Sequence, residues 1–549
     1  MATFTAQVEE EVMPHPSMKN INIIFQTSRS YLHSEAWERL VAFCPVPGAL
    51  PDTIVQFGDE LNLPGFLADI ARLEWAHHET GKQKRKLPKN IKETIVNPTL
   101  RMFQCGWKNL GSLLRRKAHL HLQVPEPGDD LVLLWMNFRT GETCVQSATE
   151  KDLLVLKMIF ENISPESAAE TGNVPVGAID EAVHQAIAQG ILLSPPSRIY
   201  RDAAMFPSDT NEEFLSAPVF TLQWHITQLC DLHCKHCYDR SERPHRMYSH
   251  AMDILDDLRD FCRKRYVRGQ VSFTGGNPLM YPKFLNLYRS ASERGFATAI
   301  LGNPAPRDYI EKIATIQKPV FFQVSLEGLP THNDMIRGPG QFKRVIAFLE
   351  ILRDLDIYSI VMLTLTNDNL KQVIPLAEVL QDKADLFTFN RLSKTGEGEK
   401  LDLPDREAYV RFLDEYLAAS EKYTVMGLKD NFFNILFYER GETLFGGCTG
   451  YGCGAAFNFL TLLPDGEVHA CRKFPSLIGN IFQQNFREIY DSKKASLYRT
   501  RPEMCRHCNI RVVCGGCLAS SFSYKKEIFR DCDPYCFKSH VKEQTRGKG

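Results

Sequence analysis

The chain has 549 residues, too many for one hydrophobic core, so two to four domains are expected. It is 44% hydrophobic and 24% charged with a formal net charge of −1, so no field of one sign draws it toward nucleic acid or anionic lipid. No apolar run approaches the ~20 residues that span a bilayer. The opening MATFTAQVEEEVMPHP is acidic and has no apolar core, unlike a signal peptide, and a cytoplasmic protein is expected.

Residues 1–196 read as a mixed, mainly helical domain. A helical pattern covers 66–78 and a short apolar strand 131–135. Residues 151–160, 164–170, 179–189 and 191–193 then read as helix, helix, helix, strand, the order of a small winged-helix unit. The basic run KQKRKLPKNIK at 82–92 is either a solvated loop or a patch for an anion or a leader peptide. Residues 197–216 are polar and aperiodic and read as a linker.

From 217 to 437 the pattern alternates. Strands are expected at 220–227, 270–274, 297–301, 321–326, 359–366 and 386–392. Helices are expected at 250–263, 282–294, 307–316, 342–355 and 370–380, and another at 405–421 after the last strand. This is an α/β order, a parallel sheet with right-handed crossovers, and six units imply an open, partial barrel. Ligands of such folds sit at the C-terminal ends of the strands. From 438 to 549 the periodicity fades, glycine and cysteine take over, and the region is expected to be held by metal rather than by a core.

Sixteen cysteines are placed unevenly: three fall within 230–237 and nine within 448–536. Cys44, Cys105, Cys144 and Cys262 stand alone and read as small buried hydrophobes. Grouped cysteines in a long cytoplasmic chain read as metal ligands rather than disulfides. The first group, Cys230-Asp-Leu-His-Cys234-Lys-His-Cys237-Tyr238, directly follows the first expected barrel strand. Three thiolates can wrap one four-iron cubane and leave one iron open, the incomplete shell of a catalytic site. A zinc loop with a distant fourth ligand is the other reading.

The CxxxCxxC spacing resembles the radical S-adenosylmethionine (SAM) superfamily. There the open iron binds the amino and carboxylate groups of S-adenosylmethionine, and one electron releases a 5′-deoxyadenosyl radical that abstracts hydrogen. The resemblance implies catalytic roles for Cys230, Cys234 and Cys237, with Tyr238 beside the cofactor. Thr274-Gly275-Gly276-Asn277-Pro278 resembles the family's GGEP motif, which holds the methionyl amino group; the glycines would let the backbone approach that ligand. Asn277 stands where glutamate is usual, and its carbonyl can accept from the ammonium without bringing charge. Gly302-Asn303-Pro304 falls where the family often has an asparagine–glycine pair. Val324-Ser325-Leu326-Glu327-Gly328 and the run from His332 to Gly338 resemble the fourth-strand motif. By that likeness Ser325 contacts the ribose or carboxylate of S-adenosylmethionine, and Glu327 and Arg337 join the cofactor-binding candidates.

The second group comprises Cys448, Cys453, Cys471, Cys505, Cys508, Cys514, Cys517, Cys532 and Cys536. On spacing alone the pairs 505–508 and 514–517 also fit a zinc knuckle. As a whole the group resembles the SPASM domain of peptide-modifying radical enzymes, although two residues separate Cys514 from Cys517 where three are usual. Asp465-Gly466 would form a hairpin turn presenting Cys471. The resemblance implies two auxiliary [4Fe-4S] clusters beside the one that binds S-adenosylmethionine. Cys448, Cys453, Cys471 and Cys517 would hold one. Cys505, Cys508, Cys514 and Cys536 would hold the other, with Cys532 the ninth thiol for eight positions.

The likeness covers residues 220–537, and SPASM-type members generally act on peptides or proteins. Arg472 follows Cys471 where the sulfatase-maturing branch places aspartate, which argues against formylglycine formation. Residues 63–76, LPGFLADIARLEWA, are similar to an LPxLAxLARLEWA-like stretch in partners of multinuclear iron peptide oxidases. Taken whole, the chain resembles the thio(seleno)oxazole modification maturases. That implies a precursor peptide modified at cysteine or selenocysteine, captured by the N-terminal domain through strand addition, and a reductant such as flavodoxin or ferredoxin. Two alternatives stand beside it: a sulfatase-maturase-type protein oxidase, and a non-enzymatic redox sensor whose winged helix contacts nucleic acid.

Overall fold

The computed structural model describes residues 20–82, 87–88, 90–115, 124–206, 210–243 and 247–538. The chain divides into two compact units, Met1–Val174 with Ile179–Pro195, and Pro175–Ala178 with Pro196–Gly549. Among the described residues no single helix is long and apolar enough to cross a membrane.

In the first unit, helices Ser34–Phe43, Leu50–Phe57 and Leu67–Lys82 enclose Phe25, Trp37, Leu40 and Ile54. Leu67–Lys82 buries Leu67, Ile70, Ala71, Leu73, Glu74 and Ala76, one stripe at helical period, so most of the stretch at 63–76 is a core face. Strands Arg101–Trp107, Pro127–Met136 and Thr143–Ser147 form an antiparallel sheet with Pro127–Met136 central. Only the central strand was legible, because its run 131–136 is apolar while its neighbours mix exposed and buried positions.

Helices Glu150–Phe160, Pro165–Gly172 and Val176–Gln189 follow in the expected order. Thr149 and Asp152 close a capping box on the first, and Ser164 caps the second, with Pro165 in its first turn. Strand Leu192–Leu193 pairs with Ile95–Val96, upstream of the helices, so the wing of a winged helix is not built here as a local hairpin. Four of the six basic residues in the run at 82–92 lie outside the described residues.

The second unit is built on one nine-stranded sheet. Its strands are β1 (Val219–Thr227), β2 (Arg268–Gly275), β3 (Ala297–Leu301), β4 (Phe322–Ser325), β5 (Ser359–Leu365), β6 (Leu386–Arg391), β7 (Phe459–Leu462), β8 (Glu467–His469) and β9 (Leu477–Asn480). Their order is β6-β5-β4-β3-β2-β1-β7-β8-β9, with β1 to β6 parallel, as expected of an open six-unit barrel. Trp224 of β1 stacks on Phe273 of β2, which packs in turn on Phe284 and Tyr288 of helix α1 (Phe284–Glu293). Strand alternation turns the intervening Gln223, His225, Ser272, Thr274, Gln323, Ser325, Thr388 and Asn390 to the other face. That concave face is polar, which suits a chamber better than a packed core.

Two expectations are corrected. The C-terminal region shares the barrel's core: β7 pairs in parallel with β1, and Phe457, Leu460, Val468, Phe486 and Ile489 join the same buried cluster as Phe220 and Leu222. Its strands are three or four residues long, too short to register as a period. Residues 197–216 are not a loose linker either. Ile199 and Ala217 are fully buried, Ser197 Oγ donates to Ala217 O at 2.6 Å, and Arg201 is 5% exposed. Of the isolated cysteines, Cys44, Cys105 and Cys262 are buried and Cys144 is half-buried.

Glu74 gives the first unit a pH dependence. Its carboxylate accepts from Thr27 N at 2.6 Å, Ser28 N at 3.1 Å and Ser28 Oγ at 2.5 Å, yet burial outweighs those bonds and pushes its pKa from 4.5 up to about 7. The folded state then holds the proton more tightly than the unfolded chain. The stabilisation is full below about pH 4.5 and is lost as pH rises toward 7. The difference in unfolding free energy between wild type and Glu74→Gln should therefore shrink by up to about 3 kcal/mol across that window, read by urea unfolding at its two ends. A difference that stays constant would show that Glu74 titrates normally.

Candidate active site

The loop after β1 carries Cys230, Cys234 and Cys237, all half-buried. Burial pushes the Cys230 thiol up and that of Cys234 up to about 11. The loop is held by backbone bonds from four places: Gly276 N to Thr227 O at 2.8 Å, Asn277 N to Leu229 O at 2.7 Å, Lys235 N to Ile336 O at 3.0 Å and Glu397 N to Cys237 O at 2.8 Å. Gly275 has φ +137, and a methyl there would collide with Thr227 O; one on Gly276 would collide with Leu229 O. The double glycine thus brings the end of β2 against the cysteine loop itself, where a ligand contact was expected. Pro278 is buried and opens a short 3₁₀ turn in which Leu279 N donates to Asn277 Oδ1 at 3.3 Å.

A polar network joins this loop to the ends of four strands. Asp231 Oδ1 accepts from Asn277 Nδ2 at 3.0 Å and from Asn303 Nδ2 at 2.6 Å. Asn303 also brings Nδ2 to 3.7 Å from Cys230 Sγ and accepts from Arg337 Nη2 at 3.2 Å. Arg337 Nη1 then meets Glu327 Oε1 at 3.2 Å, which lies 3.4 Å from His236 Nε2, and Glu327 Oε2 accepts from Thr364 N at 2.8 Å. Asn277, Asn303, Glu327 and Arg337 are buried, so both oxygens of Glu327 are engaged by protein groups. Ser325 ends β4 half-buried on the chamber side. Sequence reasoning missed Asp231, although it lies within the cysteine motif. It also missed Thr364 and Arg344, the latter 3.5 Å from Asp231 Oδ2. No local signal marks those two, because their contacts depend on chain more than thirty residues away.

Arg472, next to Cys471, reaches the same place. Its Nη1 donates to Thr274 Oγ1 at 3.0 Å, and its guanidinium lies 4.1 Å over the ring of Tyr238. Arg472 Nε, Tyr238 Oη and His225 Nε2 are buried without a hydrogen-bond partner. Orphaned polar atoms around a concave polar face fit a polar occupant. Lys429 lies at the chamber too, its Nζ 4.0 Å from Met362 Sδ of β5.

The C-terminal thiols fall into two neighbourhoods. Cys471 feels the charges of Cys453 and Cys517, while Cys505 feels Cys508, Cys536 and Cys532, and Cys514 feels Cys536, Cys505 and Cys508. Cys505, Cys508, Cys514, Cys532 and Cys536 line one cavity, so Cys532 stands among the expected ligands rather than apart from them. Cys448 is exposed, its N–H held by Asn431 Oδ1 at 2.7 Å. Burial pushes Cys471 and Cys505 up to about 12 and Cys536 to about 11. Among the described residues no three His, Cys, Asp or Glu side chains converge as ligands of a single ion, so the groups are defined by neighbourhood.

Residues 224–380 match the Radical SAM superfamily, and residues 453–509 match SPASM, the iron-sulfur cluster-binding domain. The AdoMet-dependent heme synthase of Methanosarcina barkeri is 25% identical over 347 residues, 57% of this chain and 95% of that protein. The antilisterial bacteriocin subtilosin biosynthesis protein AlbA of Bacillus subtilis is 24% identical over 317 residues, 55% of this chain and 67% of that one. The crystal structure of Streptococcus suis SuiB, 20% identical, superposes over 74% of this chain and 96% of its own with a TM-score of 0.48. The chain is a radical SAM enzyme with a C-terminal iron–sulfur SPASM domain.

The glycine geometry is testable apart from catalysis. Gly275→Ala should lower the unfolding free energy by more than about 2 kcal/mol, since the residue must leave its positive φ or displace Thr227. Gly302→Ala, whose methyl would come no closer than 3.2 Å to Asn277 Oδ1 and 3.4 Å to the Pro278 ring, should cost far less. Equal losses in denaturant melts of the two variants would refute the close approach of β2 to the cysteine loop.

Proposed function

We propose that this enzyme modifies a ribosomally made peptide, at cysteine or selenocysteine, in the cytoplasm with electrons from a flavodoxin- or ferredoxin-like donor. The observation that carries the reading is the meeting of two thiol regions at one polar chamber, with Arg472 beside Cys471 lying on Tyr238 beside Cys237. AlbA is named for bacteriocin biosynthesis, which supports a peptide substrate. Support also comes from the first unit, which lies outside both family matches. Its strand Arg101–Trp107 is a sheet edge, the geometry that accepts an extended leader by strand addition. A tetrapyrrole substrate is the second reading, favoured by the likeness to the heme synthase.

In this reading Cys230, Cys234 and Cys237 would hold a four-iron cluster, which leaves one iron without a protein ligand and available to S-adenosylmethionine. Together these groups supply, when bound, a carbon-centred radical for hydrogen abstraction. Gly275, Gly276, Asn277, Pro278, Asn303 and Ser325 border the cofactor, Glu327 and Arg337 position Asn303, and the Tyr238–Arg472 stack closes one wall of the chamber. Cys448, Cys453, Cys471 and Cys517 hold one auxiliary cluster, and the second draws its ligands from Cys505, Cys508, Cys514, Cys532 and Cys536. Cys471, Cys505, Cys514 and Cys536, whose protons burial holds, fit ligation in which iron displaces the proton.

Anaerobically reconstituted protein should bind about twelve irons, three cubanes of four. The Cys230→Ala, Cys234→Ala, Cys237→Ala variant should keep about eight, by the same count, and yield no 5′-deoxyadenosine from S-adenosylmethionine and dithionite. Continued 5′-deoxyadenosine release by that variant would defeat the assignment. Mass spectrometry of a cysteine-containing precursor should show its mass change with the wild type, whereas turnover of a porphyrin alone would favour the second reading.

A further inference from the structure

Arg201 and Arg501 form a buried pair of like charges. Arg201 donates to Tyr451 O at 2.6 Å, Val512 O at 3.2 Å and Cys453 O at 3.0 Å. Arg501 donates to the same three carbonyls, at 2.6 Å, 3.1 Å and 2.5 Å respectively. Each is 5% exposed, each has an Nε without a partner, and among the described residues neither has a carboxylate within ion-pair distance. Arg501 also adopts φ +69, a conformation that costs a residue with a side chain of order 1 kcal/mol or more. Arg511, 7% exposed, adds a third guanidinium that donates to the carbonyls of Met205 and Thr500 and lies 5.6 Å over the Phe206 ring.

Elsewhere in the same unit a buried arginine is neutralised in the ordinary way. Arg391 stands 2.9 Å from Asp430 and 2.9 Å from Asp533. Carbonyl dipoles, with the Phe457 ring 4.0 Å from the Arg201 guanidinium, offset only part of the cost of burying two cations side by side, so an anion is missing. Arg501 donates to Cys453 O and packs on Gly515, the neighbour of Cys514, so it borders both thiol neighbourhoods. Four thiolates around a cubane leave it net negative, and the potential of such a cluster follows its net charge and surroundings.

We propose that Arg201 and Arg501 are the shared counter-charge of the two auxiliary clusters and raise their reduction potentials. The inference rests on the cluster assignment above. Reduction adds one electron, drawn from the external donor, to an already negative cluster. A fixed cation nearby stabilises the reduced form more than the oxidised one.

The test is a redox titration followed by electron paramagnetic resonance on the reconstituted full chain carrying Cys230→Ala, Cys234→Ala and Cys237→Ala, in which only auxiliary signals remain. Adding Arg201→Gln should lower the reduced-to-oxidised ratio of an auxiliary cluster about tenfold at fixed potential, a shift of about −59 mV for one electron. Arg201→Lys, which keeps the charge and loses the fork, should move it by less than half as much. Arg501→Gln and Arg501→Lys should repeat the pattern. A glutamine variant that keeps its iron and the starting potential overturns the inference, as does a lysine variant that shifts as far as glutamine. Should the glutamine variants lose auxiliary iron, retention by the lysine variants supports the counter-charge role, and loss by both overturns it. Failure of the unsubstituted background to bind about eight irons, two cubanes, would instead defeat the cluster assignment itself.

Discussion

A thiol taken out of water keeps its proton, so Cys234, pushed up to about 11, becomes a ligand only where a metal takes the proton's place. The fold meets that constraint by fixing the backbone around the cysteines and leaving the sulfurs free of all but weak contacts, Asn303 Nδ2 on Cys230 Sγ at 3.7 Å and Cys237 Sγ on Asp239 O at 3.4 Å. Gly275 and Gly276 lay the end of β2 against residues 227–229, and Glu397 N holds Cys237 O from the segment after β6. Asp231 then gathers Asn277 and Asn303 from the ends of β2 and β3. A rigid loop with free sulfurs is preorganised for a cluster, because little further order is lost when the cluster binds.

The same sheet sets where the second thiol region lies. β7 pairs with β1 in register, Thr461 opposite Gln223 and Leu462 opposite Trp224, and the turn at Gly466 sends the chain back through β8 toward Cys471. Arg243, six residues beyond Cys237, spans Asp465 at 2.5 Å and Glu467 at 3.0 Å, tying the end of the cysteine loop to that turn. Together with the Arg472–Tyr238 stack, this gives the two thiol regions one shared scaffold. The region is therefore not a metal-held appendage but the continuation of the barrel's core.

The six parallel strands were legible because each is a short alternating or apolar stretch bounded by helical patterns, and all six lie within a few residues of their expected bounds. The likeness to radical SAM and SPASM enzymes was legible because ligand cysteines must recur at short spacing. What escaped was whatever depends on distant chain. Arg472 reads as a departure from one branch's aspartate, and nothing local says that it lies on Tyr238. The stretch 63–76 drew notice as a recognition element, but its period of buried residues marks a core face, with Glu74 turned inward to Ser28. Residues 197–216 read as a linker because their buried side chains, Ile199, Arg201, Phe206 and Leu215, follow no period, and packing against a surface formed elsewhere requires none.

A net charge of −1 conceals how unevenly charge is buried. At the open end of the barrel both signs are present: buried Arg337 faces buried Glu327, exposed Asp231 sits among two amides and Arg344, and Arg472 and Lys429 add cations. An occupant with an ammonium, a carboxylate and a sulfonium brings both signs, and a wall carrying both leaves each of them a partner or a dipole. Around the C-terminal thiols only one sign stands alone, with Arg201 and Arg501 buried and unopposed. Thiolate-ligated iron is an anion in every state, so cations alone suit its surroundings. The distribution of charge thus separates a wall carrying both signs, which suits an ampholyte, from a pair of buried cations, which suits a fixed anion.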